Sequence, residues 1–276
     1  MKQSTKIAIQ GIEGSNHHKV VMDFLGKNTP IIACNKFEEV AEAVVNKEAD
    51  FGLMAIENSI AGSILPNYQL ILENKLKIVQ EFYLPIAHHI VALPNQDIEE
   101  IKVVKSHQMA LYQCSNFFSD YPHIQLMEDV DTALPAKRIA EKKLLQQAAL
   151  VPEGTAQIFG LEVIQPNIQN HAFNETRFVL LQQQTKQQNK EANKATLYFS
   201  LPHQEGSLAE VLISMKQAQM NLTKIQSIPL AESAWAYAFI VDLRFESLEK
   251  LNRLIQNLQQ KIARICNLGT YKSGRE

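Results

Sequence analysis

The chain has 276 residues, 46% hydrophobic and 20% charged, with 27 basic and 29 acidic residues and a net charge of −2. That length suffices for two domains with cores of their own, and the charge balance supplies no basic stripe for nucleic acid. Cys34, Cys114 and Cys266 are odd in number, far apart and without a CxxC pair, which argues against a disulfide framework or a metal site and fits a reducing compartment. No apolar run approaches the ~18 residues that suggest a membrane span. The N-terminus, Met1 to Lys6, lacks the apolar segment of a secretory signal. A soluble, cytoplasmic protein that does not contact membranes is therefore expected.

Along the first two-thirds, short apolar runs alternate with segments of helical spacing. Residues 7–9 read as a strand, and the residues after Gly14 as a helix. Residues 31–34 form the next strand, and 37–45 a helix with Phe37, Val40, Ala41 and Val44 on one face. A strand at 51–56 and a helix at 64–72 follow. Residues 77–93 are nearly continuous strand material interrupted by Pro85. The alternation then resumes with a strand at 103–104, a helix from His107, a strand at 124–127 and a helix from Asp131. This order predicts an α/β class with mostly parallel sheets, arranged as two lobes with a cleft at the carboxyl ends of the strands.

Residues 182–194, QQQTKQQNKEANK, contain one small apolar residue, Ala192, and read as a polar linker. The expected boundaries are 1–182, a linker at 183–194, and a second domain at 195–276. Beyond the linker come a strand at 196–201 and a helix at 206–220 with Leu208, Val211, Leu212 and Met215 on one face. A strand at 222–230 follows. Then Trp235, Tyr237, Phe239, Val241, Leu243 and Phe245 alternate as one buried face of another strand. Ser247 caps a helix whose inner face carries Leu248, Leu251, Ile255, Leu258 and Ile262, and a last strand lies near Ile265. The order is βαββαβ, a ferredoxin-like fold.

Four segments are candidates for chemistry, and each has a plain structural reading beside the functional one. Gly11 to His17 is a glycine-punctuated turn opening a helix, either an anion-binding loop or a simple strand-to-helix turn. Glu57-Asn58-Ser59 lies at a strand end, where polar groups suit a cleft but also cap helices. Ser106 can cap a helix on which Gln113 sits two turns along. Thr176-Arg177 enters a strand, offering either a hydroxyl and a guanidinium to a cleft or a surface ion pair of little consequence.

Taken together and in order, ENS-x-x-G at 57–62, SH-x-x-A-L-x-QC at 106–114, DTA at 131–133 and N-x-TRF at 174–178 resemble the prephenate dehydratase family. Gly206-Ser207-Leu208-Ala209 and Asn221-Leu222-Thr223-Lys224-Ile225-Gln226-Ser227 resemble its attached ACT regulatory domain. The likeness spans about residues 6–270 and leaves no room for an N-terminal chorismate mutase domain, so it resembles the monofunctional form. The chain departs from the family at Ile12, Asn16 and His17 of the first motif, at Asn170, where an aspartate is common, and at Ile228, where the family often has arginine.

The resemblance implies a two-lobed catalytic domain like the periplasmic binding proteins. It also implies decarboxylating dehydration of prephenate to phenylpyruvate, without cofactor or metal. The positions implied as catalytic are Thr176, Arg177, Asn58, Ser59, Ser106 and Gln113, with Gly14, Ser15, Glu57 and Phe178 binding substrate. Feedback by L-phenylalanine is implied at Gly206, Ser207, Leu208, Ala209, Asn221, Leu222, Gln226 and Ser227, in a homodimer or homotetramer. Arogenate as substrate, or a ligand sensor without enzymatic activity, are the alternatives.

Overall fold

The computed structural model describes residues 5–183, 189–201, 204–229, 237–262 and 264–275. Leu230, Trp235 and residues 184–188 of the polar tract therefore lie outside the described residues. The chain divides into two compact units, one of residues 1–62 and 82–178 and the other of 63–81 and 179–276.

The first unit begins with β1 (Ile7–Gln10), α1 (Asn16–Val20), β2 (Ile31–Cys34), α2 (Phe37–Val45) and β3 (Phe51–Asn58). β1 pairs in parallel with both β2 and β3. Val40, Ala41 and Val44 of α2 are buried as their spacing predicts. Gly52 lets this helix close onto the sheet, because a Cβ there would stand 3.0 Å from both Val40 and Val44. β3 runs two residues beyond its expected end and so carries Asn58 on a strand. After the short β4 (Gly62–Ser63), the chain contributes α3 (Leu65–Glu73) and most of β5 (Lys77–Pro85) to the second unit.

The rest of this unit is built on a five-stranded sheet. Its elements are β6 (His89–Ala92), β7 (Val103–Ser106), α4 (Gln108–Gln113), α5 (Ser115–Ser119), β8 (Gln125–Glu128), α6 (Leu134–Lys142), β9 (Gln147–Val151), α7 (Thr155–Phe159) and β10 (Glu162–Gln165). The strand order is β10-β6-β9-β7-β8. β7 is parallel to β8 and β9, whereas β6 is antiparallel to β9 and β10. Each face has its own apolar cluster, one around Ile90, Val104 and Leu150 and the other around Val91, Ile139 and Val151. The central strand β9 was not anticipated. Its run Gln147 to Val151 follows a helix after two left-handed residues, Lys143 and Gln146, with neither glycine nor proline to mark the break. β11 (Glu175–Gln182) starts against β3, which gives the order β11-β3-β1-β2.

The second unit contains β12 (Lys194–Ser200), α8 (Ser207–Gln217), β13 (Asn221–Pro229), β14 (Tyr237–Arg244), α9 (Leu248–Gln259) and β15 (Arg264–Tyr271). The antiparallel order β13-β14-β12-β15 is the ferredoxin-like one, and β5 joins beside β15 through the parallel pair Gly269 and Ile78. The backbones approach so closely there that a Cβ at position 269 would overlap the Ile78 carbonyl. Val211, Met215, Leu251, Leu254 and Leu258 fill the core under the helices, and Ser247 caps α9 by accepting from the Lys250 amide.

Two features of this unit differ from the sequence reading. β14 buries Ala238, Ile240 and Asp242 as well as Val241 and Leu243, so both faces are covered rather than one. Lys194, assigned to the end of the polar linker, instead starts β12 and is buried. Its Nζ donates to both Glu81 oxygens at 3.0 and 2.9 Å and lies 4.0 Å from Asp242, whose other oxygen accepts from Thr196 at 2.7 Å. Ion pairing buries a lysine that hydropathy assigns to solvent. Among the described residues no helix is long and apolar enough to cross a membrane.

Candidate active site

The end of β3 and the start of β11 are fastened by Ser59. Its amide donates to the Glu175 carbonyl at 2.8 Å, and its hydroxyl accepts from the Glu175 amide at 3.0 Å. That clamp brings Asn58 to Thr176. Asn58 Oδ1 accepts from the amides of Ile60 and Ala61 at 3.0 and 2.9 Å. Backbone N–H groups only donate, so this contact fixes which end of the Asn58 amide is oxygen. Its Nδ2 then donates to Thr176 Oγ1 at 3.0 Å, to Asn174 Oδ1 at 2.7 Å and more distantly to the Glu175 carbonyl at 3.3 Å. Asn174 turns its own Nδ2 to Gln113 Oε1 at 3.0 Å.

The sense of this chain bears on Thr176. Its hydroxyl oxygen accepts from Asn58, and among the described contacts its proton goes to no protein acceptor. A buried hydroxyl held by its lone pair keeps its O–H for whatever occupies the adjoining space. Arg177, 3% exposed, lies beside it on the strand with its guanidinium 3.5 Å from the Glu57 carboxylate. Asn58, Thr176 and Gln113 are thus brought into one network, and Glu57 and Arg177 into one ion pair.

Phe178 is fully buried and meets the His17 ring edge-on at a centroid separation of 4.9 Å. His17 Nε2 accepts from the Ala55 amide of β3 at 3.3 Å, and burial pushes its pKa down from 6.5 to about 3, so the ring is neutral. The histidine that departs from the family's first motif therefore serves as an aromatic core residue that also satisfies a backbone donor.

The remaining expected positions are held by protein partners. Ser106 is fully buried and its hydroxyl donates to the Leu150 carbonyl at 2.6 Å. It does not cap α4; His107 does, accepting from the Met109 amide through Nδ1. Ser15 caps α1 through the His18 amide. The Gly14 amide donates to His18 Nδ1 at 3.1 Å and its carbonyl accepts from Thr155 at 2.7 Å. Gly14 has φ +87°, and a Cβ there would stand 2.9 Å from the Thr155 methyl, so this turn requires glycine for both its conformation and its packing.

Asn174 and His88 join this network without being among the expected site residues. Asn174 follows from its place in the N-x-TRF segment. His88, 2% exposed, touches Gln113 Oε1 with Nε2 at 3.1 Å, and in the sequence it reads only as part of a strand-like run.

In the second unit, Gly206, Ser207, Leu208 and Ala209 open α8, and Asn221, Leu222, Gln226 and Ser227 lie on the edge strand β13. Ser207 lines a depression with Val211 and Ile262, whereas Asn221 lines another with Arg244 and Lys250.

Comparison with known proteins matches residues 7–186 to the family model described as prephenate dehydratase. A bifunctional chorismate mutase/prephenate dehydratase of Enterobacter agglomerans is 29% identical over 98% of this chain and 71% of its own length. Two solved structures share the fold, each with a TM-score of 0.87 and 98% of this chain covered. One is the prephenate dehydratase of Arthrobacter aurescens in complex with L-Phe, 24% identical over 90% of that chain. The other is GqqA, described as a novel type of quorum quenching acylase, 23% identical over 98% of that chain. At these identities the two structures speak to the fold alone, and it is the family match over 7–186 that decides: the chain belongs to the prephenate dehydratase family.

Proposed function

We propose that the protein is a lyase that converts prephenate to phenylpyruvate, with the chemistry at Thr176. The observation that carries this reading is the hydrogen bond from Asn58 Nδ2 to Thr176 Oγ1, which leaves the threonine proton for the substrate. In the reaction the bond to the ring carboxylate breaks and carbon dioxide leaves. The electron pair enters the ring, the carbon–oxygen bond breaks, and the departing hydroxide takes a proton from solvent and leaves as water. Aromatisation supplies much of the driving force. Thr176 is a weak acid, so its part is to donate a hydrogen bond to the departing oxygen as charge develops there. Arg177, steadied by Glu57, binds a carboxylate. Gln113, Ser59 and Ser106 hold the surrounding backbone and amides in register. Phe178, Gly14 and Ser15 shape the substrate's surroundings.

The test is phenylpyruvate release, followed by its absorbance in alkali, with prephenate and arogenate compared side by side. Thr176→Val is expected to fold normally and to lose about 10²–10³ in kcat, the usual effect of removing such a donor. Near-normal turnover by the folded variant removes Thr176 from the mechanism.

Residues 194–276 are proposed as an ACT regulatory domain joined by 183–193 to the catalytic residues 1–182, in a homodimer or homotetramer. The ferredoxin-like strand order and the GSLA and NLTKIQS segments support this reading. L-Phenylalanine is the proposed effector, bound between the turn at Gly206–Ala209 and β13. Coupling of about 1–3 kcal/mol between effector and substrate would change affinity by roughly 5–150-fold. Titration of phenylalanine against turnover and against thermal stability tests it; indifference of both rejects it.

A further inference from the structure

We propose that His88 is a positioning residue of the dehydratase site, acting through Gln113 and Asn174 to hold the amide polarity that leaves the Thr176 proton for substrate. This rests on reading the site as a prephenate dehydratase.

The argument starts from groups whose roles are fixed. The amides of Ile60 and Ala61 donate to Asn58 Oδ1, so Asn58 Nδ2 is the donor to Asn174 Oδ1. Asn174 Nδ2 is then the donor to Gln113 Oε1, which makes that atom an acceptor. His88 Nε2 meets the same oxygen at 3.1 Å and can bond to it only as N–H. The imidazole is therefore the Nε2–H tautomer, and its Nδ1 is a bare lone pair. Nδ1 is buried and has no hydrogen-bond partner among the described residues. Burial also pushes the ring's pKa down, against the opposing effect of the Gln113 bond, so the imidazole is neutral at neutral pH.

Backbone donors thus set the sense of the chain of side-chain amides at one end, and the imidazole N–H completes it at the other by holding Gln113 Oε1 in place. Turning Gln113 over would set its NH₂ against the NH₂ of Asn174, whichever tautomer His88 adopts. Turning Asn174 over would set donor against donor at Asn58 and acceptor against acceptor at Gln113. Only one sense satisfies every amide of the chain, and in that sense Thr176 receives a hydrogen bond rather than giving one.

Two near-isosteric replacements separate the N–H from the shape. His88→Gln restores a donor near Nε2, and His88→Met has the same chain length with no donor. The expected result is a kcat for His88→Gln close to wild type and a kcat for His88→Met reduced about tenfold, the value of one neutral hydrogen bond, with KM little changed in either. Equal loss in both variants, or loss in neither, overturns the proposal. ¹⁵N spectra of the histidine rings give a readout that does not depend on turnover: His88 must show Nε2–H and unprotonated Nδ1 across neutral pH, and the opposite tautomer overturns the proposal. Absence of wild-type turnover on prephenate would instead count against the assigned reaction, and the ¹⁵N tautomer would still decide the role of His88.

Discussion

Replacing Asn58 by aspartate keeps the shape of the side chain and removes its two donors. The carboxylate still accepts from the Ile60 and Ala61 amides. It cannot donate to Asn174 Oδ1, now an acceptor facing an acceptor at the 2.7 Å of the native contact, nor to Thr176. The Thr176 hydroxyl would reverse and donate to the new carboxylate, so the proton assigned to the departing oxygen is consumed within the protein. The loss in kcat should match that of deleting the donor outright, about 10²–10³ or some 3–4 kcal/mol of barrier. Leaving Asn174 Oδ1 unsatisfied should also cost about 1–3 kcal/mol of stability. The decisive measurement is a double-mutant cycle on kcat with Thr176→Val. If Asn58→Asp works by capturing the Thr176 proton, the double variant is scarcely slower than either single one. If the residues acted independently, the losses would multiply to about 10⁴–10⁶. Multiplied losses, or an Asn58→Asp enzyme with wild-type kcat, would refute the polarity argument.

Other consequences concern folding. His17 is neutral in the folded protein with a pKa near 3, whereas in the unfolded chain it takes up a proton near 6.5. The unfolded state therefore binds more protons as pH falls below 6.5, and stability drops until about pH 3, by at most about 4–5 kcal/mol. His17→Phe should lose this component, so the difference in urea midpoint between variant and wild type should shift in the variant's favour through that window. A constant difference would show that His17 is not neutral by burial. Gly269→Ala forces a Cβ into the Ile78 carbonyl and should lower stability by about 1–3 kcal/mol or more in thermal unfolding; an unchanged melting temperature would mean that β15 and β5 are not in this contact. Lys194→Met removes the ammonium from beside the buried Glu81 and Asp242 and should cost about 3–5 kcal/mol. A stable variant would show these carboxylates to be hydrated.

Elements with strong periodicity were legible in the sequence because a single physical term governs them. Leu251 and Leu258 mark the buried stripe of α9, and Ser247 marks its start. Val40, Ala41 and Val44 do the same for α2. The reading failed where a second term intervened. The central strand β9 follows α6 without a turn residue, and its short apolar run can equally continue a helix. Asp242 sits on the face of β14 that alternation assigns to solvent, and Lys194 sits in a polar tract. Both are buried because they lie in one charge cluster assembled from β5, β12 and β14.

The candidate site divides along the same line. Which residues meet was legible from the order of four short motifs, since Asn58, Gln113 and Thr176 each lie in one. How they meet was not, because an asparagine or glutamine side chain can present oxygen or nitrogen to a given neighbour. That choice is made by the turn after β3, where two backbone amides face Asn58 Oδ1, and by the clamp of Ser59 on Glu175, which sets Thr176 against Asn58 Nδ2. Glu57 and Arg177 illustrate the limit from the other side: each is visible in its motif, yet 120 residues separate them and only the pairing of β3 with β11 makes them an ion pair. A hydroxyl such as that of Thr176 has no fixed donor direction of its own. Its direction is inherited from neighbours whose polarity is anchored in the backbone, so the chemistry proposed for Thr176 depends on residues that need never touch the substrate.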